Sequence, residues 1–210
     1  MVVLSETDHQ RVTEAVRAAE SQTSGEIHCV VCRQSDPYFL AAGFYFSAGV
    51  LLIGFMLALF LERSWYSVTP LVLAGAQLAA WLAGLLVLWG FPSLRLLLVP
   101  RNISYRRAHA HAVQQFFARN IHTTGSRTGV LIFVSLAERY AEIIADNEIS
   151  KQVSQDDWNA IVADLMEGAR RHALADALIT AVERSGDVLK THFPARKGQK
   201  NELPDHVVEL

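Results

Sequence analysis

Charge is missing from two long stretches of this 210-residue chain: from Tyr38 to Leu61, and again from Val68 to Phe91, no Asp, Glu, Lys or Arg occurs over twenty-four residues. That excludes an ordinary surface helix, which would carry a polar stripe. Cysteine is scarce, with only Cys29 and Cys32, so a disulfide framework is excluded. A basic excess is lacking too: 19 Lys and Arg stand against 21 Asp and Glu, for a net charge of −2, which argues against a nucleic-acid binder and its basic face. The first thirty-five residues hold no apolar run of signal-peptide type, so no cleaved leader is expected. Walker loop, GxGxxG, HExxH and an ordered Ser–His–Asp set are all absent.

What is present begins with those uncharged runs. A membrane-crossing helix needs about 20 apolar residues, rising about 1.5 Å each across about 30 Å of hydrocarbon. Residues 38–61 and 68–91 are both long enough, and 62–67 make a short extracytoplasmic turn. Trp65, Tyr66 and Trp89 lie where interfacial aromatics belong. The alternative, a hairpin buried in a soluble core, needs a larger domain than this chain supplies. Gly43, Gly49, Gly54, Gly75 and Gly84 suit close helix packing in lipid, and Gln77 reads as an interhelical hydrogen bond. Arg33 precedes the first run and Arg95, Arg101, Arg106 and Arg107 follow the second, while the turn holds Arg63 beside Glu62. The positive-inside tendency then places both termini in the cytoplasm of a bacterial inner membrane. Residues 92–103, too short to span, read as an interfacial segment.

The remainder, 1–37 and 104–194, is the size of one domain. Ser5 with Asp8 reads as a capping box, and Val12, Ala15, Val16 and Ala19 repeat at helical spacing. EIHCVVC at 26–32 is a strand, ended by the Asp36-Pro37 turn. A helix follows from Ser104, with Ala108, Ala112, Phe116 and Phe117 on its apolar face, and then a loop around Gly125. TGVLIFVSL at 128–136 is a strand of the type buried on both faces. In RYAEIIAD, Tyr140, Glu142, Ile144 and Asp146 face one way and Ala141, Ile143 and Ala145 the other. Ser154 caps a helix through Trp158, Ile161 and Leu165, a last helix spans Leu174 to Leu189, and 195–210 form a polar tail expected to be disordered.

Gly25-Glu26-Ile27 opening the first strand, the helix ending in Phe116-Phe117, the run TGVLIFVSLAERYAEIIADNEI and Asp156-Asp157-Trp158 entering the next helix resemble the TPM domain family, including its phosphatase-like members. The resemblance implies a small α/β/α sandwich, here interrupted by a two-helix transmembrane hairpin. Relatives in plants are described as acid phosphatases that bind divalent cations, and an animal relative is an accessory receptor subunit. The sequence departs from that pattern in the inserted hairpin and in Asp146, where the family usually has glycine.

Acidic residues gather between Glu138 and Asp157. Glu142, Asp146, Asp156 and Asp157 are oxygen ligands of the kind that suit Ca²⁺ or Mg²⁺, without EF-hand spacing. The alternative is that Glu138 and Glu148 are solvated loop charges and that Asp156 and Asp157 favour a helix N-terminus. Cys29 and Cys32 make a formal CxxC, but in a strand residues three apart face opposite sides, so the pair reads as packing. His109 and His111 lie about 200° apart on a helix and read as surface polarity rather than joint metal ligands. The expected function is an interaction or accessory module in assembly, maintenance or quality control of a membrane protein complex; a divalent-cation-dependent phosphatase is the alternative. Expected partners are another integral membrane protein or complex and anionic lipid headgroups at Arg101, Arg106 and Arg107. No nucleic acid is expected, and self-association into a homo-oligomer stays open.

Overall fold

A computed structural model describes residues 4–65, 68–123, 127–195 and 206–210. Tyr66, Gly125 and residues 196–205 of the tail lie outside the described residues. The chain divides into two units, one of residues 1–35 and 105–210, the other of 36–104.

The first unit is built on a four-stranded sheet in the order β3-β2-β1-β4. Strands β1 (Glu26–Cys32) and β2 (Gly129–Ser135) pair in parallel, Glu26 opposite Gly129 and Cys32 opposite Ser135. Every residue of both is buried, as continuous β-branched and apolar runs require when helices cover both faces. Strand β3 (Tyr140–Ala145) runs antiparallel to β2 and forms an edge.

Alternation along the strands sends side chains into two cores. Ile27, Cys29, Val31, Val130, Ile132, Val134, Ala141 and Ile143 face the helices α1 (Glu6–Glu20), α7 (Gln155–Arg170) and α8 (Leu174–His192). Val30, Cys32, Leu131 and Phe133 face α5 (Arg101–Ala118) and the 3-10 turn at Ile121–Thr123, with Tyr140 and Ile144 at the margin. The result is an α/β/α sandwich. Ser5 caps α1 with a reciprocal Asp8 bond. Helix α8 lies against both α1 and α7, and two glycines allow the approach: a Cβ at Gly186 would fall 2.7 Å from that of Ala19, and one at Gly168 only 2.4 Å from that of Ala177.

The expectation of a disordered tail is corrected at its end. Val208–Glu209 forms β4, parallel to β1, with Val30 opposite Val208. Beside the ladder itself, main-chain bonds run from the Leu210 amide to the Val31 carbonyl at 3.0 Å and from the Arg33 amide to the Leu210 carbonyl at 3.1 Å. The cause is an otherwise open β1 edge together with a terminal apolar pair: Val207 is buried, and Glu209 accepts from the Leu4 amide at 2.8 Å and pairs with His9.

The second unit contains α2 (Phe39–Arg63), α3 (Pro70–Gly90) and the short helix α4 (Pro92–Leu98). Helices α2 and α3 are long and apolar enough to cross a membrane, and their apolar side chains, Leu51, Phe60 and Leu71 among them, are exposed. Trp81 Nε1 donates to Ser47 Oγ at 2.8 Å and Gln77 to the Val50 carbonyl at 3.4 Å, so the two helices share polar bonds. Of the small residues, Gly84 meets the Phe46 ring and Gly54 the Gln77 amide, whereas Gly49 and Gly75 face open space. Arg95 is tied down: its guanidinium donates to the Leu88 carbonyl at 2.7 Å and to that of Trp89 at 2.9 Å, satisfying carbonyls at the α3 terminus. The helix expected from Ser104 begins three residues earlier, at Arg101, directly after Pro100, whose ring suits a helix start.

Candidate functional site

The polar groups that meet at the β3 edge come from separate elements. Glu142 lies on the α5 face of β3, and its carboxylate contacts His109 Nδ1 at 2.9 and 3.0 Å and receives the Tyr140 hydroxyl at 2.8 Å. A carboxylate only accepts, so His109 Nδ1–H is the donor in this contact. Burial, followed by the neighbouring Glu142, pushes the Tyr140 phenol well above its ordinary range and keeps it a donor. Tyr105 lies against Tyr140 with ring centroids 5.4 Å apart.

Beside this group a cleft of about 290 Å³ follows the β3 edge, with His109 and Val113 of α5 on one wall and Ser150, Val153 and Trp158 on the other. Trp158 is 2 % exposed, and its Nε1 has no hydrogen-bond partner among the described residues.

The four carboxylates expected to hold a cation are divided among different tasks. Asp146 does not continue the strand face of Glu142: the strand stops at Ala145, and Asp146 caps the four-residue helix α6 (Asn147–Ser150), accepting from the Asn147 amide at 2.6 Å. Asp157 sits in the first turn of α7 and takes the Ser154 hydroxyl at 2.7 Å, while Ser154 accepts the Asp157 amide. Asp156 is exposed in the same turn, and Glu142 is engaged with His109 and Tyr140. Among the described residues no group of three or more His, Cys, Asp or Glu is arranged to hold a metal ion.

His109 is exposed, as expected, and ties α5 to β3, whereas His111 is half-buried, packs edge-on against Phe133 at 5.7 Å and bonds Gln115. Glu138 is not a solvated loop charge. It is buried at the carboxyl ends of the two parallel strands, where it accepts the Ser135 hydroxyl and, at 2.9 Å, the Ser35 amide. Ser35 donates to Ser135 at 2.9 Å and the Cys32 thiol to Ser135 at 3.2 Å, which closes a buried network. Burial raises the Cys32 thiol, against the effect of those serines, and pushes Cys29, in the opposite core, up to about 12.

No signal in the sequence marks either group of residues, because Ser35 and Ser135 are a hundred positions apart and His109 and Glu142 thirty-three.

Residues 93–188 match the family model described as the TPM domain. The matched segment supplies β2, β3, α5 to α7 and most of α8, and the sheet is completed by β1 from ahead of the hairpin and β4 from residues 208–209. No curated protein matches the chain. Among solved structures, the fold is similar to that of the BA42 protein from the psychrophilic bacterium Bizionia argentinensis, determined by NMR: the TM-score is 0.60 at 17 % identity, over 99 % of this chain and 95 % of that one.

Proposed function

Given that this chain carries a TPM domain, we propose that it is a membrane-anchored interaction module, serving the assembly, maintenance or quality control of another integral membrane protein or complex. The observation that carries this reading is the placement of the apolar hairpin. The chain leaves the sheet after β1, passes through two helices of membrane-crossing length, and returns through α5 to complete the same sheet. An anchor inserted within the folding unit confines that unit to a bilayer surface, where its partners are membrane proteins.

The flanking arginines give the orientation. Arg33 before the hairpin and Arg95, Arg101, Arg106 and Arg107 after it outnumber Arg63 in the turn, so the domain faces the cytoplasm of a bacterial inner membrane. Arg101, Arg106 and Arg107 are exposed at the start of α5 and suit anionic lipid headgroups.

The competing reading, a divalent-cation-dependent phosphatase, requires a nucleophile or a metal-held water beside a cationic phosphate clamp. One experiment separates the two: purification of the tagged full-length protein in mild detergent, with mass spectrometry and phosphatase assay of the same eluate with and without Ca²⁺ and Mg²⁺. A stoichiometric membrane partner without turnover is the expected result. Cation-dependent turnover that is lost in Asp157→Asn, with no partner recovered, would replace this reading with the enzymatic one.

A further inference from the structure

Among the described residues no strand pairs with the outer side of β3, and its register shows which main-chain groups are turned that way. The Asp146 amide donates to the Gly129 carbonyl at 2.9 Å. In an antiparallel ladder such bonding recurs at every second residue, so with Leu131 opposite Ile144 and Phe133 opposite Glu142 the main chain of Tyr140, Glu142 and Ile144 is turned toward β2. The main-chain groups of Ala141, Ile143 and Ala145 therefore point outward. Ser150 confirms the direction from outside, its hydroxyl donating to the Ala145 carbonyl at 3.2 Å. Among the described residues nothing bonds the outward groups of Ala141 and Ile143 or the Ala145 amide.

Ile143 and Ala145 of this row line the cleft between α5 and the α6–α7 wall, and Ala141 continues the row along β3 beyond it. We propose that the cleft takes an extended peptide segment of another protein as a fifth strand beside β3. Only a polypeptide in extended conformation repeats donor and acceptor at the two-residue spacing that Ala141, Ile143 and Ala145 present. A second copy of this chain is disfavoured, because its own β3 is flanked by the same helices. The walls set the side chains. Residues facing α7 meet Val153 and the Trp158 indole, whose buried, unpartnered N–H calls for an acceptor such as Asp, Asn or Ser; residues facing α5 meet Val113 and the His109–Glu142 pair. The inference rests on the reading of the chain as an interaction module and names how the partner is held.

The test pans a displayed library of random ten-residue peptides against the full-length protein in nanodiscs and measures amide hydrogen exchange with the selected peptide bound. The expected result is slowed exchange at Ala141, Ile143 and Ala145, with Glu142 and Ile144 unchanged because they are already bonded. Ala141→Pro, which removes an outward N–H and no ladder bond, should weaken binding about tenfold or more, and Trp158→Phe should relax the preference for an acceptor side chain. Failure to select a peptide, protection elsewhere, or affinity indifferent to Ala141→Pro in a folded variant would overturn the proposal. Protection of the same amides without peptide, accompanied by a doubled mass, would overturn it in favour of a second copy. A membrane partner recovered by purification whose binding leaves these amides exchanging freely would refute the edge site and leave the interaction reading standing.

Discussion

Raising the pH loosens the sandwich through one thiol. Cys29 is 2 % exposed in the middle of β1, and burial moves its pKa from 9.0 to about 12. Above pH 9 the unfolded chain sheds this proton while the folded chain keeps it, so the unfolded state gains. The stability tied to the neutral thiol is complete below pH 9 and disappears as the pH rises through about 12. At 1.36 kcal/mol per unit the loss is about 1.4 kcal/mol by pH 10 and about 2.7 kcal/mol by pH 11. Urea unfolding of the full-length protein in detergent, followed by Trp158 emission with the other three tryptophans replaced by Phe, would be compared with the same protein carrying Cys29→Ala. The substitution lowers stability at pH 8 by removing buried volume, and it flattens the decline between pH 8 and 11 by about 2.7 kcal/mol. Parallel declines in the two proteins would refute the burial of β1 between two helix layers.

Three further outcomes are expected. Ser154→Ala removes the cap of α7 and costs about 1 kcal/mol, seen as a lower urea midpoint with an unchanged slope; no change would mean that the Asp157 amide finds another acceptor. Removal of residues 207–210 strips β4 from the sheet, so amide exchange at Arg33, bonded to the Leu210 carbonyl, should accelerate while Ile132 in the sheet interior remains protected. Gly84→Leu places a side chain on the Phe46 ring and forces α2 and α3 apart; overpacking of this kind costs about 1–3 kcal/mol, measurable as reduced thermal stability of the hairpin in detergent, with Gly75→Leu, which faces open space, as the unaffected control.

The layers of this fold were legible because they depend on periodicity. The spacing of Val12, Val16 and Ala19 gave one buried helix face, and the alternation from Tyr140 to Ala145 separated Ala141 and Ile143 from Tyr140 and Ile144, which do enter opposite cores. The two apolar runs became α2 and α3 for the same reason, since hydrophobic length is a local property. The alternation misled at Asp146, which keeps the right parity but belongs to a cap, because a two-residue rhythm does not mark where a strand ends. Strand β4 was hidden by brevity: two paired residues at the end of a polar tail carry too little pattern to distinguish a strand from coil. The pairing of His109 with Glu142 and the Ser35–Ser135–Glu138 network depend on which elements the fold brings side by side, and a single sequence records that nowhere. Arg95 illustrates the same limit, since no local pattern marks its bonds to the Leu88 and Trp89 carbonyls of the preceding helix.

The most direct test of the membrane-anchored reading is sidedness. In a background with Cys29 and Cys32 replaced by alanine, one cysteine is introduced at Trp65, fully exposed in the hairpin turn, or at Ala160, exposed on α7. Intact spheroplasts are then treated with a membrane-impermeant maleimide. The proposed topology predicts labelling of Trp65→Cys in intact cells and of Ala160→Cys only after permeabilisation. Labelling of both from outside, or release of the protein from membranes by alkaline carbonate, would contradict a hairpin that anchors a cytoplasmic domain.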